Sequence, residues 1–415
     1  MRVKRRSLIM GIMIILLMLL GIIIQSEFSC RISVLFILIL CIIRGKQEKY
    51  FLNPYYLFAI TPFSLLIYRN ISNYHLDLTI ETWILAIINM VAFLLALEFT
   101  SEYRKLQKCI GAGDNRILRY NTIILLIFGF MPFAYELFIG GLMPLASVFS
   151  LFTSAAIICA MKSKEKGLII LVIGVCVFTS LEYVTKTTIL TYTVAVLIGY
   201  EKYYITNIKQ KKRLILLVII AGLVMVAAFS FANQGRSSLR SASEVAEYYT
   251  TYGNLQWEGN NNLLMPYMYL TTPWSNLQYV LYSQDTRTFG LWLFKPILGY
   301  LQIDKAFEGL YALRAYSNFN TFTFIAYNFK DFGYWCSCIS SIFLGFFVKK
   351  VYSRFRQSRS PLDVASYVLV GQAVLQMFFS NEFFSQSFPF TIVIIMGIYK
   401  YLFCKNCKVE LESKL

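Results

Sequence analysis

Long runs of apolar residues recur along almost the whole chain, and short polar stretches separate them. Twelve of these runs approach the length of about 15 to 20 residues that a helix needs to cross the hydrocarbon core of a bilayer. The pattern therefore predicts an all-α polytopic membrane protein with about 12 transmembrane helices. The predicted spans cover residues 8–24, 29–43, 55–68, 82–100, 121–139, 143–161, 167–185, 187–200, 214–232, 332–348, 362–379 and 389–403.

Composition favours one membrane domain over several soluble ones. Apolar residues make up 57% of the 415 residues and charged residues only 15%, against roughly 45–50% and 25% in soluble domains. A water-soluble fold of this length has no means of hiding so much apolar surface. The length therefore reflects the number of spans rather than the number of soluble domains.

The placement of Lys and Arg gives the predicted orientation. Cytoplasmic connections of membrane proteins hold most of these residues. If the amino terminus lies in the cytoplasm, the seven inner segments carry 29 of the 39 basic residues. Both termini are then cytoplasmic. The net charge of +17 is accounted for by this bias and indicates no nucleic-acid partner.

One polar connection is far longer than a turn requires. The chain divides into a first membrane half (1–232, about nine spans), a large outer loop (233–330) and a last membrane part with the cytoplasmic tail (331–415). Insertions of this length are commonly functional. Ser241 with Glu244, and Asp304, predict short helices in the loop, and residues 291–298 predict a patch at the membrane interface.

Basic residues on the outer side run against the inside bias, and a phosphate-bearing ligand would explain them. Headgroup pairing or solvation would explain them as well. Arg236 and Arg240 follow a span directly, and spacing of four lets them clamp a pyrophosphate if the helix continues past Gly235. The ten outer basic residues are Arg31, Arg69, Lys186, Arg236, Arg240, Arg287, Lys295, Lys305, Arg314 and Lys330.

Three further features have two interpretations each. Lys186 stands four residues after Glu182, which suits a helical ion pair or a functional pair near the membrane. Asp331 stands where the chain re-enters the membrane, as a general base or a helix cap. The loop aromatics, Tyr252 and Trp257 among them, suit sugar stacking or interfacial anchoring.

Several chemistries find no support in the sequence. His75 is the only histidine, so we expect no multi-histidine metal site and no imidazole base in the large loop. None of the nine cysteines lies in that loop, which argues against a disulfide framework. Phosphate-binding glycine loops and serine-nucleophile elbows do not occur. We expect neither a metal nor a cofactor.

The chain resembles the bacterial Wzy-type polymerases, which join oligosaccharide repeat units of O-antigen and capsule. The topology is similar, with many spans, inside termini and one large outer loop. Three segments carry the resemblance: Glu182 to Thr188, with Lys186 where members often have Arg; Asn233 to Arg240; and Asn320 to Thr323 together with Asp331-Phe332-Gly333.

The resemblance implies a GT-C-like, metal-independent glycosyltransferase at the outer face of the bacterial inner membrane. Its substrates would be oligosaccharides linked to undecaprenyl pyrophosphate, and its partners the bilayer and the pathway's flippase and chain-length regulator. Arg236 and Arg240 would steady the pyrophosphate, and Asp331 would take the proton of the acceptor hydroxyl. The expected substrate-binding residues are Lys186, Arg287, Arg314, Trp257 and Tyr252.

Three other functions compete with a polymerase. A flippase for lipid-linked oligosaccharide should bury charges along its spans, and the spans hold few beyond Glu98, Glu136 and Glu182. An O-antigen ligase should carry a histidine in the large loop. A non-enzymatic scaffold or co-polymerase would tolerate the loss of every outer arginine.

Overall fold

The structure is a computed structural model of the full chain, and it describes most of the predicted membrane region. The described residues are 26–69, 77–99, 115–140, 146–183, 186–237, 256–257, 259–282, 287–289 and 321–380, with six isolated positions at 12, 16, 19, 244, 291 and 383. Within these ranges the secondary structure is helical and contains no β-strand.

The helices are numbered here in chain order. They are α1 (Glu27–Gln47), α2 (Pro54–Phe58), α3 (Ile60–Leu66), α4 (Ile80–Phe99), α5 (Asn115–Ile139), α6 (Ala146–Ser163), α7 (Lys166–Tyr183), α8 (Lys186–Tyr204), α9 (Ile208–Ser237), α10 (Asn261–Tyr282), α11 (Phe324–Gln357) and α12 (Pro361–Leu375).

Four of the described helices, α1, α4, α5 and α11, are long and apolar enough to cross a membrane. This confirms the prediction of an all-helical protein with apolar helices of membrane-spanning length. The count of twelve spans, the orientation and the outer position of the large loop stay predictions.

Packing divides the chain into two compact units. Unit 1 comprises Met1–Ser101, Val226–Lys350 and Ala373–Phe384. Unit 2 comprises Glu102–Met225, Val351–Gln372 and Ser385–Leu415.

Two arginines hold the ends of α1 in unit 1. Near the beginning of α1, Arg31 donates to the carbonyls of Leu66 and Tyr68, both at 3.1 Å. Near its end, Arg44 forms a buried ion pair with Glu98 of α4. The Arg31 guanidinium also lies 5.2 Å from the Trp83 ring near the beginning of α4. The helices α1 and α4 therefore run in the same direction, with α2 and α3 returning between them.

Helix α11 runs alongside α4 through polar and small residues. Asn89 donates to the Ser337 hydroxyl at 3.2 Å, and the Ser341 hydroxyl donates back to Asn89 at 2.6 Å. Further along α11, a Cβ added at Gly345 would lie 2.5 Å from the Phe93 carbonyl oxygen. Small residues and interhelical hydrogen bonds of this kind hold membrane helices together.

Helix α10 packs on the end of α3 and the beginning of α4. The Trp274 indole donates to the Ser64 hydroxyl at 3.0 Å. The Gln278 amide oxygen accepts from the Thr79 backbone at 2.9 Å. These contacts make α10 part of the core of unit 1, although the sequence places it inside the large loop.

Unit 2 contains the close packing of α6 against α5 and α8. A Cβ at Gly129 would overlap the Thr153 hydroxyl, and one at Gly199 would lie 2.6 Å from the Met161 sulfur. At the end of α11, the ring of Phe355 stacks on Tyr367 of α12 at 4.4 Å. Gly129 and Gly199 thus allow α5 and α8 to pack closely against α6.

Three predicted boundaries shift in the structure. The third predicted span is divided at Ala59 into α2 and α3. Helix α9 continues through Gly235 to Ser237, past the predicted beginning of the loop. Helix α11 begins at Phe324 rather than near Phe332.

Candidate functional site

Helix α11 is interrupted at Gly333, which has φ 75° and ψ −168°. A side chain is disfavoured at this positive φ, so glycine suits the position. The interruption separates a first segment, residues 324–332, from a longer second segment, residues 334–357. A helix end leaves its last carbonyl groups without partners inside the helix. The first segment therefore needs donors from elsewhere in the chain.

Residues 287–289, here called the strap, supply those donors. The Arg287 Nη1 donates to the carbonyl of Phe329 at 3.0 Å. The backbone N–H groups of Thr288 and Phe289 donate to the carbonyls of Lys330 and Asp331, at 3.4 Å and 3.1 Å. Three successive carbonyls thus receive hydrogen bonds from three successive residues of the strap.

The Arg287 guanidinium lies against the break itself. Its Cζ is 4.6 Å from the centre of the Phe329 ring, and a Cβ at Gly333 would lie 3.4 Å from the same atom. A cation near the last carbonyls of a helix is electrostatically favourable. Arg287 as a whole is half-buried, whereas Thr288 beside it is buried.

Asp331 lies in the last turn of the first segment and is fully buried. Its Oδ1 accepts a hydrogen bond from the hydroxyl of Thr288, which is also buried. A buried carboxylate is costly unless hydrogen bonds compensate for lost hydration. The strap therefore positions the side chain of Asp331 as well as the backbone at the end of the first segment.

Similarity to known proteins assigns no role to this junction. No protein-family model matches the chain, and no curated protein or solved structure matches it. The strap and the break are therefore interpreted from their own geometry. Within the described residues, they bring a cation and a buried carboxylate to one end of a short helical segment.

Two of the eight predicted site residues, Arg287 and Asp331, lie at this junction and take part in neighbouring hydrogen bonds. Trp257 lies just before α10, where its ring packs on Tyr267 at 5.2 Å and its indole donates to the Asn260 carbonyl at 3.3 Å. Neither this hydrogen bond nor this ring contact of Trp257 involves the strap. The sugar-stacking interpretation of Trp257 stays a prediction.

The other predicted site residues are described only in part or lie outside the description. Arg236 is in the last turn of α9 and Lys186 is the first residue of α8. For both, the structure describes the backbone position alone. Arg240, Arg314 and Tyr252 lie outside the described residues, as do Asp304 and the 291–298 patch apart from Leu291.

Two of the outer basic residues take part in packing. Besides its bonds to two carbonyls, Arg31 pairs with Glu27 at 2.6 Å. The backbone N–H of Arg69 donates to the Tyr267 hydroxyl at 2.9 Å, and that hydroxyl donates to the Arg69 carbonyl at 2.8 Å. Burial raises the pKa of Tyr267. The hydrogen bonds and the ion pair of Arg31 are thus sufficient to explain a basic residue on the predicted outer side.

The described residues contain no group of three or more His, Cys, Asp or Glu side chains able to hold a metal ion. The polar side chains described at the junction are the Thr288 hydroxyl, the Arg287 guanidinium and the Asp331 carboxylate. Sequence reasoning missed Thr288 because its partner lies 43 residues away. It also missed Asn328, which lies one helical turn before Asp331.

Proposed function

We propose that this protein is a glycosyltransferase that joins lipid-linked oligosaccharide repeat units into longer polysaccharide chains. The observation that supports the proposal best is the junction of Arg287 and Asp331 at the break in α11. It offers a carboxylate for proton transfer and a cation for a phosphate group. The resemblance to Wzy-type polymerases supplies the substrate class, undecaprenyl-pyrophosphate oligosaccharide.

The reaction assigns opposite tasks to these two groups. Asp331 accepts the proton of the acceptor hydroxyl as that oxygen forms a bond to the anomeric carbon of the growing glycan. The bond between that carbon and the pyrophosphate oxygen breaks, and its electron pair leaves with the pyrophosphate. Arg287 stabilises the charge that develops on this leaving group. Arg236, Arg240 and Arg314 are proposed to bind the same pyrophosphate.

The proposed location is the outer face of the bacterial inner membrane, because the predicted topology places residues 233–330 there. The strap would then lie on the side of the membrane on which lipid-linked units are joined, with Asp331 buried directly beneath it. No metal is assigned to the reaction, since fixed guanidinium groups supply the charge stabilisation.

The test is the glycan ladder of a deletion strain complemented with wild-type or variant protein at equal membrane abundance. Asp331→Asn keeps the shape and the acceptor for Thr288 but removes the base. Arg287→Gln removes the cation. The matched controls are Asp77→Asn and Arg69→Gln, since both of these residues are exposed and lie outside the junction.

The proposal expects single repeat units from the deletion strain and from both junction variants, and normal ladders from both controls. Arg236→Ala should behave as the junction variants do. If deletion instead strands lipid-linked units on the cytoplasmic face, the protein is a flippase. If deletion leaves ladders whose attachment to the final acceptor is lost, the protein is a ligase. An unchanged ladder after deletion refutes all three functions.

A further inference from the structure

Asn328 has a fully buried side-chain amide whose two polar atoms are both unpaired. Its exposed fraction is 0%, and neither Oδ1 nor Nδ2 has a hydrogen-bond partner. Folded proteins leave few such groups, because burying an amide without partners loses its bonds to water. An unpaired amide at this depth therefore calls for a ligand or a structural reason.

Another asparagine of unit 1 shows that the fold satisfies a buried amide elsewhere. Asn89 is also 0% exposed. Its Nδ2 donates to the Leu85 carbonyl at 2.9 Å and to Ser337 at 3.2 Å, and its Oδ1 accepts from Ser341 at 2.6 Å. Among the described residues, other buried side chains such as Trp83 also have an unpaired polar atom, but in Asn328 both atoms of the amide are unpaired.

The position of Asn328 links it to the proposed site. It stands three residues before Asp331, and residues three apart lie on the same side of a helix. Both ends of the segment are held: Thr323 caps its beginning by accepting from the Ala326 N–H at 3.2 Å, and the strap holds its end. The amide is therefore fixed in register with the carboxylate.

We propose that Asn328 binds a pair of neighbouring hydroxyl groups on the saccharide substrate and so helps to select it. An asparagine amide offers one acceptor and one donor group side by side. One sugar hydroxyl donates to Oδ1 while the next accepts from Nδ2. A neutral diol suits this group because neither atom carries a charge. This inference rests on the proposed function and assigns to Asn328 the recognition of the sugar.

The amide is covered in the present structure, so the ligand reaches it by displacing part of that cover. The break at Gly333 lies five residues downstream and separates the first segment from the rest of α11. The first segment and the strap can shift together without bending the second segment, because the backbone at Gly333 already departs from helical geometry, and Asn328 and Asp331 keep their register within the first segment.

The experiment compares Asn328→Leu with Asn89→Leu. Leucine has nearly the shape of asparagine but no polar atoms. At a site where the amide is unpaired, such a replacement is neutral or stabilising, whereas at a paired site it leaves the partners unsatisfied. Each purified variant is heated in detergent with and without lipid-linked repeat units extracted from the deletion strain. Its glycan ladder is recorded at equal membrane abundance.

We expect Asn328→Leu to melt at or above the wild-type temperature, to lose the stabilisation by lipid-linked units, and to make polymer at least about tenfold less efficiently, the effect of losing one to two hydrogen bonds. Asn89→Leu should melt lower and keep the ligand-induced shift. If Asn328→Leu melts as low as Asn89→Leu, the amide is satisfied within the fold, and the inference is wrong. It is also wrong if the ligand shift and the ladder persist.

Alanine variants provide the same test if a leucine variant does not accumulate in the membrane. Asn328→Ala and Asn89→Ala both leave a small cavity, so their difference reports the hydrogen bonds. The expected order of melting temperatures is the same, with Asn328→Ala above Asn89→Ala, and the reverse order overturns the inference. Failure of the proposed function is distinguishable, because it shows in the deletion strain itself as an unchanged ladder.

Discussion

Thr288 donates its hydroxyl hydrogen bond to the carboxylate of Asp331 across 43 residues of chain. The same residue donates its backbone N–H to the carbonyl of Lys330. One strap residue therefore fixes both the side chain and the backbone at the end of the first segment. The carboxylate therefore has a defined position in the structure, as the proposed role of a general base requires.

The first prediction concerns this hydrogen bond. Thr288→Val keeps the shape of the side chain but leaves a buried carboxylate oxygen without its hydroxyl donor, at a cost of about 1 to 3 kcal/mol. We expect a lower melting temperature and a shortened glycan ladder. Thr288→Ser retains the hydroxyl and should preserve both. Equal behaviour of the valine and serine variants would show that the hydroxyl does not position Asp331.

The second prediction separates structural from functional outer arginines. Arg31→Ala removes hydrogen bonds to the carbonyls of Leu66 and Tyr68, which should destabilise unit 1 by about 1 to 3 kcal/mol. At matched membrane abundance, we expect the glycan ladder to persist. Arg287→Gln should instead lose the ladder with a smaller change in melting temperature. Loss of the ladder in Arg31→Ala at matched abundance would place Arg31 in the site.

The helices are the part of the fold that the apolar pattern predicts best. Long apolar runs gave α1, α4 and α5 near their observed positions, because a span needs a fixed length and little else. The pattern did not predict α10. Its amides and its prolines at 266 and 273 resemble a loop, and its helical form depends on contacts such as Trp274 with Ser64. Local sequence carries no information about those contacts.

The candidate site also combines features that the sequence predicts with features that depend on tertiary contacts. The sequence indicated Arg287 and Asp331 separately, one as a cation against the inside bias and the other as a carboxylate at a re-entry point. Their meeting depends on the hydrogen bonds of Thr288 and Phe289 with residues more than 40 positions away. Spacing rules describe neighbours along one helix, so they do not reach such a pairing. Asn328 gave no signal, since an unpaired state is visible only in three dimensions.

The third prediction concerns the buried ion pair of unit 1. Glu98 pairs with Arg44 and also accepts from the Tyr55 hydroxyl at 2.8 Å. Glu98→Leu leaves the arginine without its partner and should destabilise the protein by about 3 to 5 kcal/mol. The double variant Arg44→Met with Glu98→Leu should recover much of this loss. Melting curves of the single and double variants check the prediction, and additive losses would contradict it.

The last prediction concerns the break that creates the site. At φ 75° and ψ −168° the backbone of Gly333 lies in a region almost restricted to glycine, so a side chain there is strained by about 1 to 3 kcal/mol. A Cβ there would also contact the guanidinium of Arg287. Gly333→Ala should therefore lower the melting temperature and weaken polymerisation by disturbing the strap. The control is Gly174→Ala, because Gly174 lies inside α7 with no atom within 4 Å of an added Cβ. Alanine is favoured there by about 1 kcal/mol, so the control should melt no lower than wild type. If both variants melt alike and keep full ladders, the conformation at Gly333 is not needed for the junction of Arg287 and Asp331.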